Sequence, residues 1–211
     1  MSQDLTTYTE KAGDTWLSET AARVTFTNVD RPSSTYLYKD FGSGYWLNFE
    51  HSFELRVTSN TDLSITFPWM LSNDLADWST HDASSTMDAL YAFLYGVDAS
   101  NIRLYLGEIN NGVATNVSYY TLTVGTSYWV KIARNGTAFN IYIYSDSGLT
   151  NLLSTLSLTL TIDSSLAFQY LYAFNSTGSG ASGKVVSGYV DSLNLIITTA
   201  TIAFTTDDAV V

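Results

Sequence analysis

The chain has 211 residues, no cysteine, nine Lys plus Arg against twenty Asp plus Glu, and a formal net charge of −11. That length holds one large all-β domain or two small ones and buries a core without staples, and the lack of cysteine excludes disulfides and thiolate metal sites. The acidity argues against non-specific nucleic-acid binding, which needs a cationic footprint, and leaves carboxylates available for solubility or for Ca²⁺.

The opening stretch MSQDLTTYTEKAGDTW lacks the basic end and apolar run of a signal peptide. No run of about 18 apolar residues occurs, so no membrane insertion is expected. From residue 22 onward the chain alternates polar and apolar residues or runs apolar for a few positions. ARVTFTNV (22–29), TYLYKDF (35–41), SFELRVT (52–58) and LSITF (63–67) read as strands. Pro32 and Pro68 fall at strand ends in this reading. Residues 68–88 form the longest irregular stretch and hold Trp69 and Trp78 among Asn73, Asp74 and Asp77. A loop of that length in a compact domain is usually functional or mobile. SNDLADW within it suits one helical turn capped by Ser72, which would bring both indoles to one side with the polar residues beside them. The same two Trp could instead plug into the sandwich as a lid. SSTMDALYAFLYG (84–96) reads as a strand over Ala89–Tyr95 or as a helix capped by Ser84 or Ser85, and the β-rich surroundings favour the strand.

IRLYLGEI (102–109) and VSYYTLTV (117–124) are further strands, followed by YWVKIARNGTAFNIYIYSDSG. Asn135-Gly136 there is a two-residue turn signal. Centred on that turn, the register sets Trp129 against Tyr142 and Lys131 against Asn140. Alternation places Tyr128, Val130, Ile132, Phe139, Ile141 and Ile143 on an apolar face, and Trp129, Lys131, Asn140 and Tyr142 on the other. Trp129 and Tyr142 then form either a packed cross-strand pair or a surface on which a sugar ring stacks. LLSTLSLTL (152–160), LAFQYLYAF (166–174) and GYVDSLNLII (188–197) complete the strands. Short strands with turn clusters between them indicate an all-β, two-sheet antiparallel jelly-roll β-sandwich, in one domain over 1–211 with its core at about 20–197. TIAFTT beyond it is strand-like and is expected to mediate contact with another chain.

Several motifs fail on their context. GSGASGKV (178–185) matches a phosphate loop in letters, but a strand pattern follows where a helix is required. The two histidines, His51 and His81, are 30 residues apart, without zinc spacing. Glu50 and Glu54 share one strand face as solvent-facing charges, with Phe49 and Phe53 on the other.

The order YLYKDFGSGYWLNFEHSFELRVTS, then the WVKIARNG hairpin, then SGYVDSLNL resembles the concanavalin A-like jelly rolls, especially laminin G-like and pentraxin-like domains. That resemblance implies two antiparallel sheets of six or seven strands, used for glycan binding, adhesion, virion attachment or decoration, or glucan hydrolysis. The hydrolytic branch carries Glu-x-Asp-x-x-Glu on one strand. GEINNG (107–112) departs from it, with Asn110 in place of the Asp and Val113 in place of the second Glu, which disfavours an enzyme. Binding relatives hold a structural Ca²⁺, for which the resemblance offers Asp191 and, beside FGSG, Asp40.

The sequence thus points to a non-catalytic recognition or structural sandwich on a virion or cell surface. Its expected partners are glycan or other subunits of an assembly, including copies of itself. The expected binding residues are Trp69, Asn73, Asp74, Asp77, Trp78, Trp129 and Tyr142. A hydrolase of the same fold and a purely structural subunit are the alternatives.

Overall fold

The computed structural model describes residues 1–11 and 15–198, with the side chains of 116–118 excepted. The segment TIAFTT lies outside the described residues. Among them fourteen strands follow one another: β1 (Thr9–Glu10), β2 (Leu17–Glu19), β3 (Arg23–Asp30), β4 (Tyr36–Asp40), β5 (Phe49–Asn60), β6 (Ile65–Ser72), β7 (Ala89–Asp98), β8 (Asn101–Asn110), β9 (Val113–Thr123), β10 (Ser127–Asn135), β11 (Ala138–Tyr144), β12 (Leu152–Thr159), β13 (Tyr170–Ser176) and β14 (Val185–Ile197). One short helix, α1 (Trp78–Ala83), stands between β6 and β7.

The strands form two seven-stranded antiparallel sheets. The first has the order β1-β4-β13-β6-β7-β8-β9, the second β12-β11-β10-β5-β14-β3-β2. Sequence neighbours often lie in different sheets, as β4 and β5 do, so the chain crosses repeatedly between the layers. This is the two-sheet jelly-roll sandwich expected from the alternation.

The core is built by alternation. On β10 and β11, Val130, Ile132, Phe139, Ile141 and Ile143 are fully buried between the sheets, as the pattern required. Phe49 and Phe53 point inward from β5 while Glu50 and Glu54 stay outside. From the first sheet Trp69, Leu71, Leu90, Leu104 and Phe174 meet them.

Three local expectations are corrected. Strand β6 runs through Pro68 to Ser72, and Pro68 lies within its register shift between Thr66 and Trp69. A bulge is the one interior place that tolerates a residue without an N–H. The helix begins at Trp78 with Asp77 as its cap, later than the turn expected after Ser72. The hairpin register is displaced by two residues: Asn135 pairs with Ala138, Lys131 with Tyr142 and Trp129 with Tyr144. Gly136, at φ 60°, is the first of two turn residues, and Asn135 stays in the strand. One tertiary and one local bond hold the turn there, since Gly136 N–H donates to Asn48 Oδ1 and its carbonyl accepts from Arg134 Nε. A two-residue shift preserves the faces but changes every partner.

His51 is a buried polar exception in this core. Its Nδ1 accepts the Trp69 indole N–H at 3.1 Å, which leaves the proton on Nε2. Burial, aided by the charged amino terminus, pulls its pKa well below the ordinary 6.5. Native His51 therefore stays neutral where the unfolded chain takes up a proton. Its contribution is intact above the unfolded value and is lost as pH falls through about 6.5, at up to about 1.4 kcal/mol per pH unit. Urea unfolding between pH 7.5 and about 5 should show this slope, and a His51→Phe protein should be flatter over that range. Equal slopes would refute the assignment.

Candidate functional site

The ends of β6, β8 and the start of β13 line up, because Ser72 pairs with Tyr170 and Ala89, and Ala89 with Ile109. Four connections converge at this end of the first sheet around an open cleft of about 520 Å³. Ser43 and Gly44 come from the β4–β5 loop and Asn73 from just beyond β6. Asp88 precedes β7, Asn110 and Asn111 stand at the β8–β9 turn, and 162–169 leads into β13.

The turn is what an Asn-Gly pair builds. Asn110 pairs with Val113, and Asn111 and Gly112 both have positive φ, 49° and 74°. A Cβ on Gly112 would stand 1.4 Å from the Ser84 carbonyl oxygen, so glycine also lets the 73–88 excursion pack on the turn. Asp88 Oδ1 accepts from Asn111 N–H at 2.8 Å, Asn110 Nδ2 donates to Thr161 Oγ1 at 2.9 Å, and Asn73 Nδ2 donates to the Ala167 carbonyl at 3.1 Å. Each side chain is fixed by one bond. Asp88 Oδ2, Asn73 Oδ1, Asn111 Oδ1 and Gln169 Oε1 are left without a partner among the described residues. Asp163 accepts from both Ser165 N–H and Ser165 Oγ at 2.8 Å, which holds its carboxyl below the usual range. The cleft offers fixed hydrogen-bonding oxygens.

Two buried charges carry one wall. Glu108 is fully buried, and its carboxylate accepts from Thr161 N–H and Oγ1 at 2.9 Å and from Ile162 N–H at 3.1 Å. Arg134, equally buried, donates to the carbonyls of Leu166 at 2.6 Å and Asp163 at 3.1 Å, and to that of Gly136. Burial draws the Arg134 pKa down, opposed by Asp163 and Glu108. Neither residue was recognised as a site determinant from sequence. The signal was there: Glu108 alternates with Leu104 and Leu106, and Arg134 with Val130 and Ile132, so both stand at core positions.

Of the sequence-predicted residues, Asn73 is in the cleft. Trp69 is fully buried between the sheets on the inner face of β6, whereas Trp78 lies against the outer face of the same sheet. The two indoles therefore share no site. Asp74 offers its backbone carbonyl to Tyr172 OH, and the Asp77 carboxylate caps α1 and accepts from Ser34 Oγ. Trp129 and Tyr142 are on the outer face of the second sheet, where Lys131 Nζ stands 5.0 Å from the Tyr142 ring centroid. Asp40, on β4 of the first sheet, accepts from Gly42 N–H and Gln169 Nε2. Asp191, on β14 of the second, pairs with Arg23 at 2.6 Å. The two carboxylates are in different sheets. Among the described residues no group of three or more His, Asp and Glu is placed to hold a metal.

The excursion 73–88 crosses the outer face of the first sheet. It leaves at Ser72, bonds Thr177 through Ser79 N–H at the far end, and returns to Gly112. Trp78 stacks on Phe67 with ring centroids 5.4 Å apart. A row of rings continues across the strands through Phe93, Tyr105 and Tyr119, with neighbouring centroids 5.8, 4.6 and 5.2 Å apart.

Solved structures share this architecture. A legume lectin-like domain from Entamoeba histolytica superposes with a TM-score of 0.61 at 14% identity, over 94% of this chain and 97% of that one. The CBM2 module of the evolved Dit of Lactobacillus casei BL23 phage J-1 gives 0.51 at 12% identity, over 94% and 96%. An alginate lyase from Klebsiella pneumoniae gives 0.52 at 10% identity, over 90% and 77%. At these identities the likeness is one of fold: the chain shares the two-sheet antiparallel jelly-roll architecture of these structures. No protein-family profile matches the sequence, and no curated protein matches it significantly.

Proposed function

We propose that this chain is a non-catalytic glycan-binding domain whose ligand enters the polar cleft at the loop end of the first sheet. The observation that carries the reading is the set of unpartnered side-chain oxygens of Asn73, Asp88, Asn111 and Gln169, each on a residue already fixed by another bond. Pre-set acceptors around an open, wet cleft suit sugar hydroxyls, because little ordering cost remains to be met on binding. The likeness to a lectin-like domain and to a phage carbohydrate-binding module supports a glycan as ligand. The phage module also supports service on a virion, as an attachment or decoration domain.

The lyase likeness makes catalysis the competing reading. Against it stand two features of the carboxylates. Asp163 is held below the usual range rather than raised as a general acid needs to be, and both Glu108 oxygens are committed to the wall.

A glycan array should show binding. Asp88→Asn, which keeps the bond to Asn111, should weaken it about tenfold, one hydrogen bond to a charged group, while leaving Tm in place. The same glycans should release no reducing ends. An array without any hit, or product formed from a bound glycan, would overturn this reading.

A further inference from the structure

The second sheet has a pocket of its own. It measures about 190 Å³ and is lined by Ser52 and Glu54 of β5, Trp129 of β10, Ser147 and Leu149 of the β11–β12 turn and Ser192 of β14. At about 30 Å³ per water, it holds about six waters, the scale of one sugar ring and not of a chain.

Its floor is set by register. Glu54 pairs with Trp129 on one side and with Asp191 on the other, so the three strands bring an indole, a carboxylate and the Ser192 segment side by side. Strand β14 bulges between Asp191 and Asn194, and Ser192 there has φ 56°. Bulges re-aim side chains in this way. The wall is the turn after β11. Asp146 ties it by accepting from Asn151 N–H at 2.7 Å and Thr150 Oγ1 at 2.8 Å, and Leu149 takes φ 54°. Two of the non-glycine residues with left-handed backbone thus border one pocket. Such conformations cost free energy, and they cluster where a site must be held in shape.

The chemistry is that of sugar recognition. Among the described residues Trp46, Trp69 and Trp78 each make aromatic ring contacts, whereas the rings of Trp16 and Trp129 make none, and the Trp129 indole N–H has no partner there. Glu54 Oε1 accepts from Tyr189 OH at 2.8 Å, which fixes the carboxylate and leaves Oε2 free. Ser52 and Ser147 hydroxyls are likewise unpaired among the described residues. We propose that this pocket is a second saccharide site, separate from the loop-end cleft, that takes one neutral pyranose. The C–H face of the sugar stacks on Trp129, and its hydroxyls donate to Glu54 Oε2 and bond Ser52 and Ser147. The Glu54 charge selects against uronic and sialic acids. One domain would then hold two glycan sites, on different sheets, and bind a glycan-coated surface with avidity.

The test is NMR of the indole N–H signals during titration with the methyl glycosides of glucose, galactose, mannose and N-acetylglucosamine, up to about 50 mM, where a millimolar site saturates. At least one should move the Trp129 signal, identified by its loss in Trp129→Phe, and glucuronic acid should not. In ligand-observed NMR, Trp129→Ala should weaken that glycoside at least tenfold, while the other indole signals keep their positions and so report an intact fold. Asp88→Asn should leave the Trp129 response unchanged. A Trp129 signal unmoved by all four glycosides, or moved equally by glucuronic acid, overturns the proposal even if the cleft binds. A Trp129 response beside a silent cleft supports it and refutes the first reading instead.

Discussion

Trp69→Ala is expected to lower the free energy of unfolding by about 3–5 kcal/mol, the usual loss for a large aromatic removed from a core. The indole is fully buried, lies 5.7 Å from the Phe49 ring and 6.1 Å from that of Phe139, and donates to His51. Its removal opens a cavity between the sheets and strips His51 Nδ1 of its donor at once. Urea unfolding followed by circular dichroism measures the loss. Glycan binding by the fraction still folded should persist, because Trp69 reaches neither candidate site. A loss below about 1 kcal/mol would mean that the indole does not fill the core.

Glu108→Ala is expected to cost at least about 3 kcal/mol and to abolish binding at the cleft. It leaves the N–H groups of Thr161 and Ile162 and the Thr161 hydroxyl without their acceptor, at about 1–3 kcal/mol for each that stays buried. The wall that Glu108 anchors continues into Asp163, Ser165 and Gln169 of the cleft. Glu108→Gln retains one acceptor and should fall between wild type and alanine in stability and binding alike. A catalytic carboxylate would behave differently, since its glutamine variant would keep stability and stop turnover. A Glu108→Ala protein as stable as wild type would remove the structural role.

How far the sequence could be read is clear at its two Asn-Gly pairs. Asn111-Gly112 makes the two-residue turn with positive φ at both positions. At Asn135-Gly136 the identical dipeptide turns one residue later, where Asn48 from outside the hairpin and the neighbouring Arg134 side chain both bond Gly136. The faces of β10 and β11 were legible regardless, since alternation survives a shift of two. The partners were not: Trp129 pairs with Tyr144 and not with Tyr142 as expected. Likewise the 68–88 stretch announced itself by length and composition, but its first five residues continue β6 past Pro68. A proline inside a strand paired on both sides is permitted only by the bulge, which local propensity does not reveal.

The sequence by itself determined the all-β, two-sheet class and the inward sets of residues on its strands, because a period of two and burial of one face follow from local chemistry. It also separated Glu50 and Glu54 from Phe49 and Phe53. Only the tertiary structure decided which loops meet. Asn73, Asp88, Asn111 and Gln169 are far apart in the chain and come together because Ser72, Ala89, Ile109 and Tyr170 end up level across four strands. Trp69 and Trp78, nine residues apart, are parted because the bulge in β6 turns Trp69 inward while the chain beyond Ser72 folds back and lays α1, with Trp78, on the outer face of the same sheet. Register is a property of pairs of strands, and no single segment contains it.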